Sequence, residues 1–295
     1  MSVRAVTKSQ SAVLESAVVF PCQGADLVGI LHSAPGARDS MIFVTGGGQY
    51  RVGSHRLYVQ LARSLAAAGV SVLRFDHQGR GDSSGTFRGF RHIHQDLVAA
   101  RDALRCNQPT LRRIFIMGLC DGASAAVLSC MELSGIAGMV LINPWVYSSE
   151  LEAKTRISSY YLARLKSMNF WRKVFTGRSN LAGSLRSVGG YLREIFLTRG
   201  TPIDDLMTPD YVESMLSNLK RFSHPVLVIL CGQDLVAQQF QHLITHDRRW
   251  QMTMQAQTFD IEHFKLADHT FSTKEHQMLL GRLILTWLRT GEGAT

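Results

Sequence analysis

Cys120 stands between two glycines in the stretch Gly118-Leu119-Cys120-Asp121-Gly122. An apolar run, Ile114-Phe115-Ile116-Met117, precedes it, and a run of small residues, Ala123-Ser124-Ala125-Ala126, follows. Strand-type residues before and helix-type residues after predict a sharp strand-to-helix turn with the cysteine at its apex. Such a turn strains the backbone of its central residue. It also presses together the positions two before and two after, so both want glycine. The N–H groups opening the following helix favour a thiolate, the nucleophilic form of cysteine. The plain alternative is a buried small hydrophobe, the usual fate of a free cysteine. The strand before and the helix after favour the nucleophile. A nucleophile of this kind needs a base, and the base needs an orienting acid.

Those groups must be carried by a framework, and the chain has a strand–helix rhythm. Residues 17–22 and 26–33 read as a hairpin at a sheet edge, and 41–47 as a buried strand. Ser54 is placed to cap a helix with Leu57, Leu61 and Leu65 on one stripe. Residues 70–76 form the next strand, and Ile93, Leu97, Ala100 and Leu104 mark the apolar face of the next helix. Further strands are expected at 113–118, 138–145 and 225–232, a helix at 121–133, and a last strand at 254–259. Ser272-Thr273-Lys274-Glu275 has the form of a capping box opening a final helix through Trp287. Buried strands alternating with amphipathic helices imply a mostly parallel α/β sheet of about eight strands, covered on both faces. Between 145 and 225 the rhythm stops, over a length too great for an ordinary loop. The division expected is a core of residues 13–145 and 223–291 with a helical cap insertion at 146–222.

The Gly-x-nucleophile-x-Gly pattern in this setting resembles the nucleophile elbow of the α/β-hydrolases, which usually hold serine there. The resemblance implies the chain order nucleophile, acid, histidine. The acid then falls just past the strand 225–232, at Asp234. An Asp in a turn or helix cap is the plain alternative. The histidine falls between the last strand and the last helix. His269 is preferred to His263 because it abuts the final helix; solvated or core roles suffice for the other nine histidines. The oxyanion hole implied is the backbone N–H of Asp121 with one from the loop Thr45-Gly46-Gly47-Gly48-Gln49-Tyr50. Gly47 is the choice and Gly48 the next. Losing one such donor typically costs about 3–4 kcal/mol of transition-state stabilisation. The segment from Asp76 to Ser83 resembles the D-x-x-G-x-G-x-S turn of the same superfamily, where the aspartate is structural.

More narrowly, GGGQYRVGSHR (46–56), LRFDHQGRGDSSG (73–85), GLCDGASAA (118–126) and ADHTFS (267–272) resemble the smaller hydrolase that accompanies exosortase A in bacterial exopolysaccharide systems. Dienelactone hydrolase also places cysteine in this elbow. The resemblance implies a hydrolase or acyl transferase acting on an ester, thioester or lactone carbonyl through Cys120, His269 and Asp234, with an acyl-cysteine intermediate. It implies no cofactor and no metal.

Bulk properties bound the alternatives. The 295 residues are 45% hydrophobic and 19% charged, as for an ordinary globular chain. Five scattered cysteines without a paired spacing fit reduced thiols in a cytoplasmic setting rather than a disulfide framework or zinc site. No run approaches the roughly 18 apolar residues of a membrane span. The net charge is +9, and residues 151–200 hold ten Lys/Arg against two Glu, with Tyr160, Tyr161, Phe170 and Trp171 among them. That stretch fits an acyl group on an acidic carrier or an anionic membrane surface; a solvated helical face is the plain alternative. No nucleic-acid motif accompanies the charge. The glycine loop lacks the Lys-Ser/Thr ending that a P-loop needs to hold nucleotide phosphates.

Overall fold

The computed structural model describes residues 14–46, 48–146 and 210–290. Apolar runs separated by turn residues build one eight-stranded sheet in the order β1-β2-β4-β3-β5-β6-β7-β8. β1 (Leu14–Cys22) and β2 (Ala25–Ser33) form the expected hairpin at one edge. Gln23 and Gly24 join them at φ 48° and 82°. Two consecutive positive φ values let a two-residue loop follow the right-handed strand twist. β2 pairs antiparallel with β4 (Val70–Phe75). Every other ladder is parallel, running from β4 to β3 (Asp39–Val44), β5 (Arg113–Leu119), β6 (Gly138–Ile142), β7 (Val226–Gln233) and β8 (Phe259–Asp268).

All residues of β4 and β6 are buried, as a sheet covered on both faces requires. The cover comes from α1 (Leu57–Ala67), α2 (His94–Asn107), α3 (Asp121–Ser129), α4 (Asp210–Arg221), α5 (Leu235–His246), α6 (Arg248–Met254) and α7 (Lys274–Thr290). α1 packs on α7, and α3 on both α2 and α4. Tyr211, Met215, Leu216 and Leu219 bury one face of α4. Asn218 Nδ2 donates to the carbonyls of Val127 and Leu128 at 3.0 and 3.1 Å, at the end of α3 where carbonyls lack full helical partners. Tyr160, Tyr161, Phe170, Trp171 and the basic stretch 151–200 lie outside the described residues.

Three sequence expectations are corrected. The last strand is not 254–259: helix α6 runs through Met254, and β8 starts at Phe259. β8 is an edge strand carrying exposed Asp260, Glu262, His263 and Lys265, so it has no apolar run to announce it. Ser54 does not cap α1. Its hydroxyl accepts from Gln49 Nε2 at 3.0 Å, and the chain enters α1 through His55 and Arg56, both in the left-handed region. The final helix is capped one residue later than expected, by Thr273, whose Oγ1 accepts from His276 N at 3.2 Å. Ser272 instead donates its hydroxyl to Asp268. Among the described residues no helix is long and apolar enough to cross a membrane.

Candidate active site

The carboxyl ends of parallel strands are where an α/β sheet exposes loops to a ligand, and Cys120 lies there, between β5 and α3. Its backbone sits at φ 59°, ψ −126°. A residue held in so sparsely populated a region costs about 1–3 kcal/mol and needs firm surroundings. They are present. Cys120 N donates to Ile142 O at 2.9 Å, while Cys120 O accepts from Ala123 N at 3.0 Å and Trp145 N at 3.3 Å. The flanking glycines are forced by contact. A Cβ on Gly118 would lie 2.5 Å from Ala123 N, and one on Gly122 would lie 2.6 Å from Val44 O. These are backbone atoms that cannot swing aside.

His269 occupies the loop between β8 and α7. Asp268 shapes that loop, its Oδ1 accepting from Thr270 N and Ser272 N at 3.1 and 3.0 Å. Fully buried Phe271 anchors the loop beneath, its ring 5.4 Å from that of Phe264. His269 Nδ1 lies 2.7 Å from Asp234 Oδ2, and the ring is close enough to Cys120 for the sulfur to act on its protonation. Burial favours the neutral imidazole, but the hydrogen bond to Asp234 and the neighbouring Cys120 sulfur, with the charges of both, outweigh it and raise the pKa to about 10. The histidine is therefore poised to hold a proton beside the sulfur.

Asp234 serves two purposes. It is the N-cap of α5, with Oδ1 accepting from Val236 N at 3.0 Å and Oδ2 from Ala237 N at 3.3 Å. Its Oδ2 also faces His269, so the capping reading and the orienting reading of this residue both hold geometrically. His263 is exposed on β8 opposite Leu230 and lines a cleft with Gln238 and Gln241, while it is His269 that meets Asp234. Cys22, Cys130 and Cys231 are different in kind: burial pushes their thiols up to about 11, 12 and 12, which keeps them as inert thiols.

Asp121 opens α3 and is buried, with its carboxylate against Gly46; any side chain at Gly46 would strike its Oδ1. Gly47 lies outside the described residues. The loop leaving it is tied down on the far side by Asp76. That carboxylate accepts from Arg51 N at 2.6 Å and Asp82 N at 3.1 Å and pairs with the Arg51 guanidinium. Asp76 is thus structural, as its motif suggests.

Asn143 belongs to the site framework and was not among the sequence candidates. Fully buried at φ 46°, it donates from Nδ2 to His269 O at 3.3 Å and accepts at Oδ1 from Cys231 N at 2.9 Å. It ties the ends of β6 and β7 to the histidine loop. The available signal was a polar residue ending an apolar strand before a proline, Ile142-Asn143-Pro144. Asn143→Ala is expected to lower the thermal midpoint and kcat together. The buried Cys231 N–H loses its acceptor, at a cost of about 1–3 kcal/mol, and the His269 backbone loses a support. A midpoint equal to wild type contradicts this role.

An eight-stranded, mostly parallel sheet with flanking helices defines the α/β-hydrolase fold, and the elbow at Cys120 fits it. A family model matches residues 37–189, and the chain belongs to that family, Hydrolase_4 (Serine aminopeptidase, S33). The family name specifies serine, whereas the elbow here holds Cys120. Among solved structures, the chain is similar to the Pyrococcus furiosus esterase Pf2001, with a TM-score of 0.60 and 18% identity over 95% of this chain and 96% of that one. It is also similar to the dienelactone hydrolase of Anabaena variabilis, with a TM-score of 0.59 and 16% identity over 94% and 98%. A third is Est1E of Butyrivibrio proteoclasticus with ferulic acid bound, with a TM-score of 0.59 and 15% identity over 93% and 98%. At these identities the likeness is one of fold. A search of curated proteins returns no significant match.

Proposed function

We propose that the chain is a hydrolase or acyl transferase that attacks an ester, thioester or lactone carbonyl with the Cys120 sulfur. One observation carries the reading: a single imidazole, His269, is hydrogen-bonded to Asp234 and stands close enough to the sulfur of a strained-elbow cysteine for that sulfur to raise its pKa. His269 takes the thiol proton, and the thiolate adds to the carbonyl carbon. The oxyanion is received by the N–H of Asp121 and, across the loop after β3, that of Gly47. Collapse of the adduct breaks the bond to the leaving group, which takes the proton from His269 and leaves an acyl-cysteine. Water, or an alcohol, amine or thiol acceptor, then gives its proton to His269 and attacks the acyl carbon. The product departs and the thiol is restored. Asp234 holds the ring and stabilises its protonated form throughout.

A cysteine departs from its acyl adduct more readily than serine does, which suits thioester and transfer chemistry. The esterase and dienelactone hydrolase neighbours fit carbonyl substrates of this class. Five free cysteines suit a reducing, cytoplasmic setting. The exosortase-associated resemblance supports a substrate drawn from exopolysaccharide production.

Alkylation separates this enzyme from an inert scaffold. With iodoacetamide at neutral pH, Cys120 is expected to react at least about tenfold faster in wild type than in His269→Ala. Exposed Cys106 supplies an internal reference rate. A Cys120 that alkylates no faster than Cys106, or at the same rate in both proteins, removes the reading.

A further inference from the structure

We propose that the groove between the first turns of α1 and α7 binds a phosphoryl group of the substrate, remote from the carbonyl that Cys120 attacks. The substrate role rests on the acyl-transfer reading above; the binding itself does not. The groove encloses about 810 Å³, within the range of small-molecule sites and small for a protein partner. His55, Arg56, Arg63 and Lys274 line it, and no carboxylate does. Arg63 is shared with Glu15 through two hydrogen bonds of 2.6 and 3.1 Å. Arg56 and Lys274 have no ion pair among the described residues, and both are exposed.

Its position ties it to the reacting centre. Lys274 lies five residues beyond His269, after the Asp268-shaped turn. His55 is close enough to Asp268 to help hold that carboxyl below its ordinary value, behind the hydrogen bonds from Ser272 and Thr270 that outweigh its burial. On the other wall, Arg56 follows the loop that leads from Gly46 into α1.

The way the cations are presented also needs explaining. His55 and Arg56 are consecutive left-handed residues, at φ 53° and 59°, although neither is glycine. Such strain is costly in a non-glycine residue and gathers at ligand sites. The groove offers the Ser64 hydroxyl and the Gln60 amide beside the cations, and Leu61 and exposed Met278 add an apolar side to it. A phosphoryl group, with up to two charges and three acceptor oxygens, matches that many convergent donors. Leu61 and Met278 suit the carbon chain that joins it to the acyl unit.

Acyl-pantetheine and acyl-4′-phosphopantetheine carry the same thioester and differ only in the phosphate. Wild type is expected to prefer the phosphorylated substrate by about 10- to 100-fold in kcat/KM, carried mainly by KM. Arg56→Ala/Lys274→Ala is expected to bring that ratio close to one. Arg248→Ala/Arg282→Ala removes the same charge from exposed sites elsewhere and is expected to keep it. A wild-type ratio near one, or an equal fall in both double variants, overturns the proposal. If neither thioester is turned over, the acyl-transfer reading fails and calorimetry with inorganic pyrophosphate decides the groove. Binding that Arg56→Ala/Lys274→Ala abolishes supports it, and no wild-type binding overturns it.

Discussion

Cys120→Ala is expected to lower kcat by about 10⁴- to 10⁶-fold on every ester, thioester or lactone that the wild type turns over. The size follows from the kind of step removed. Without the sulfur no acyl-enzyme forms, and what remains is direct attack by water assisted by the oxyanion donors and by binding. The fold should survive. Alanine at φ 59° bears the same kind of backbone strain as cysteine, and the bonds holding the elbow run through its main chain, from Cys120 N to Ile142 O and from Trp145 N to Cys120 O. The loss should therefore appear in kcat with an unchanged thermal midpoint. A fall in both would assign Cys120 to packing, the common role of a cysteine only 4% exposed.

Asp234→Asn should be nearly as damaging to rate, about 10⁴-fold in kcat, by analogy with the same exchange in serine-protease triads. Here the structure allows a sharper form of the test. Asparagine is as good an N-cap as aspartate, so with its amide oxygen in the Oδ1 position α5 keeps the bond from Val236 N, and only the longer bond from Ala237 N to Oδ2 is given up. What is lost is the anionic partner 2.7 Å from His269 Nδ1. An amide can present its NH₂ to that nitrogen and stabilise the wrong tautomer, and it cannot offset the imidazolium charge. Much of the rise in His269 toward about 10 should go with it. Asp234→Ala removes cap and partner together. It should match Asp234→Asn in kcat and lose about a further 1 kcal/mol of stability, read as a lower urea midpoint. If the asparagine variant keeps wild-type kcat while the alanine variant is merely less stable, Asp234 is a cap and nothing more.

The elbow was legible because its demand is steric and local. Gly118 and Gly122 meet main-chain atoms from their own turn and from β3, so the requirement shows as two letters at fixed spacing. Asp234 was legible because β7 is a fully apolar run up to Cys231, and the first acid after it is easily found. Edge structure hid other features. β8 turns half of its residues to solvent and so carries polar ones, and the expected strand falls instead on residues 254–259, which end a helix and lead into β8. The entrance to α1 was hidden for a different reason. Two left-handed non-glycine residues, His55 and Arg56, contradict local preference, and only tertiary surroundings can impose them. Asn143 illustrates the same limit: its three roles span β6, β7 and the His269 loop, and no spacing along the chain encodes that meeting.

The most direct trial of the central claim is rapid-quench mass spectrometry, with peptide mapping, after mixing the protein with a panel of esters, thioesters and lactones. The acyl mass should appear on the peptide containing Cys120 within the first turnover. It should be absent from Cys120→Ala and sharply reduced in His269→Ala. Turnover with the acyl mass on another residue, or turnover that persists at the wild-type rate in Cys120→Ala, would contradict the account.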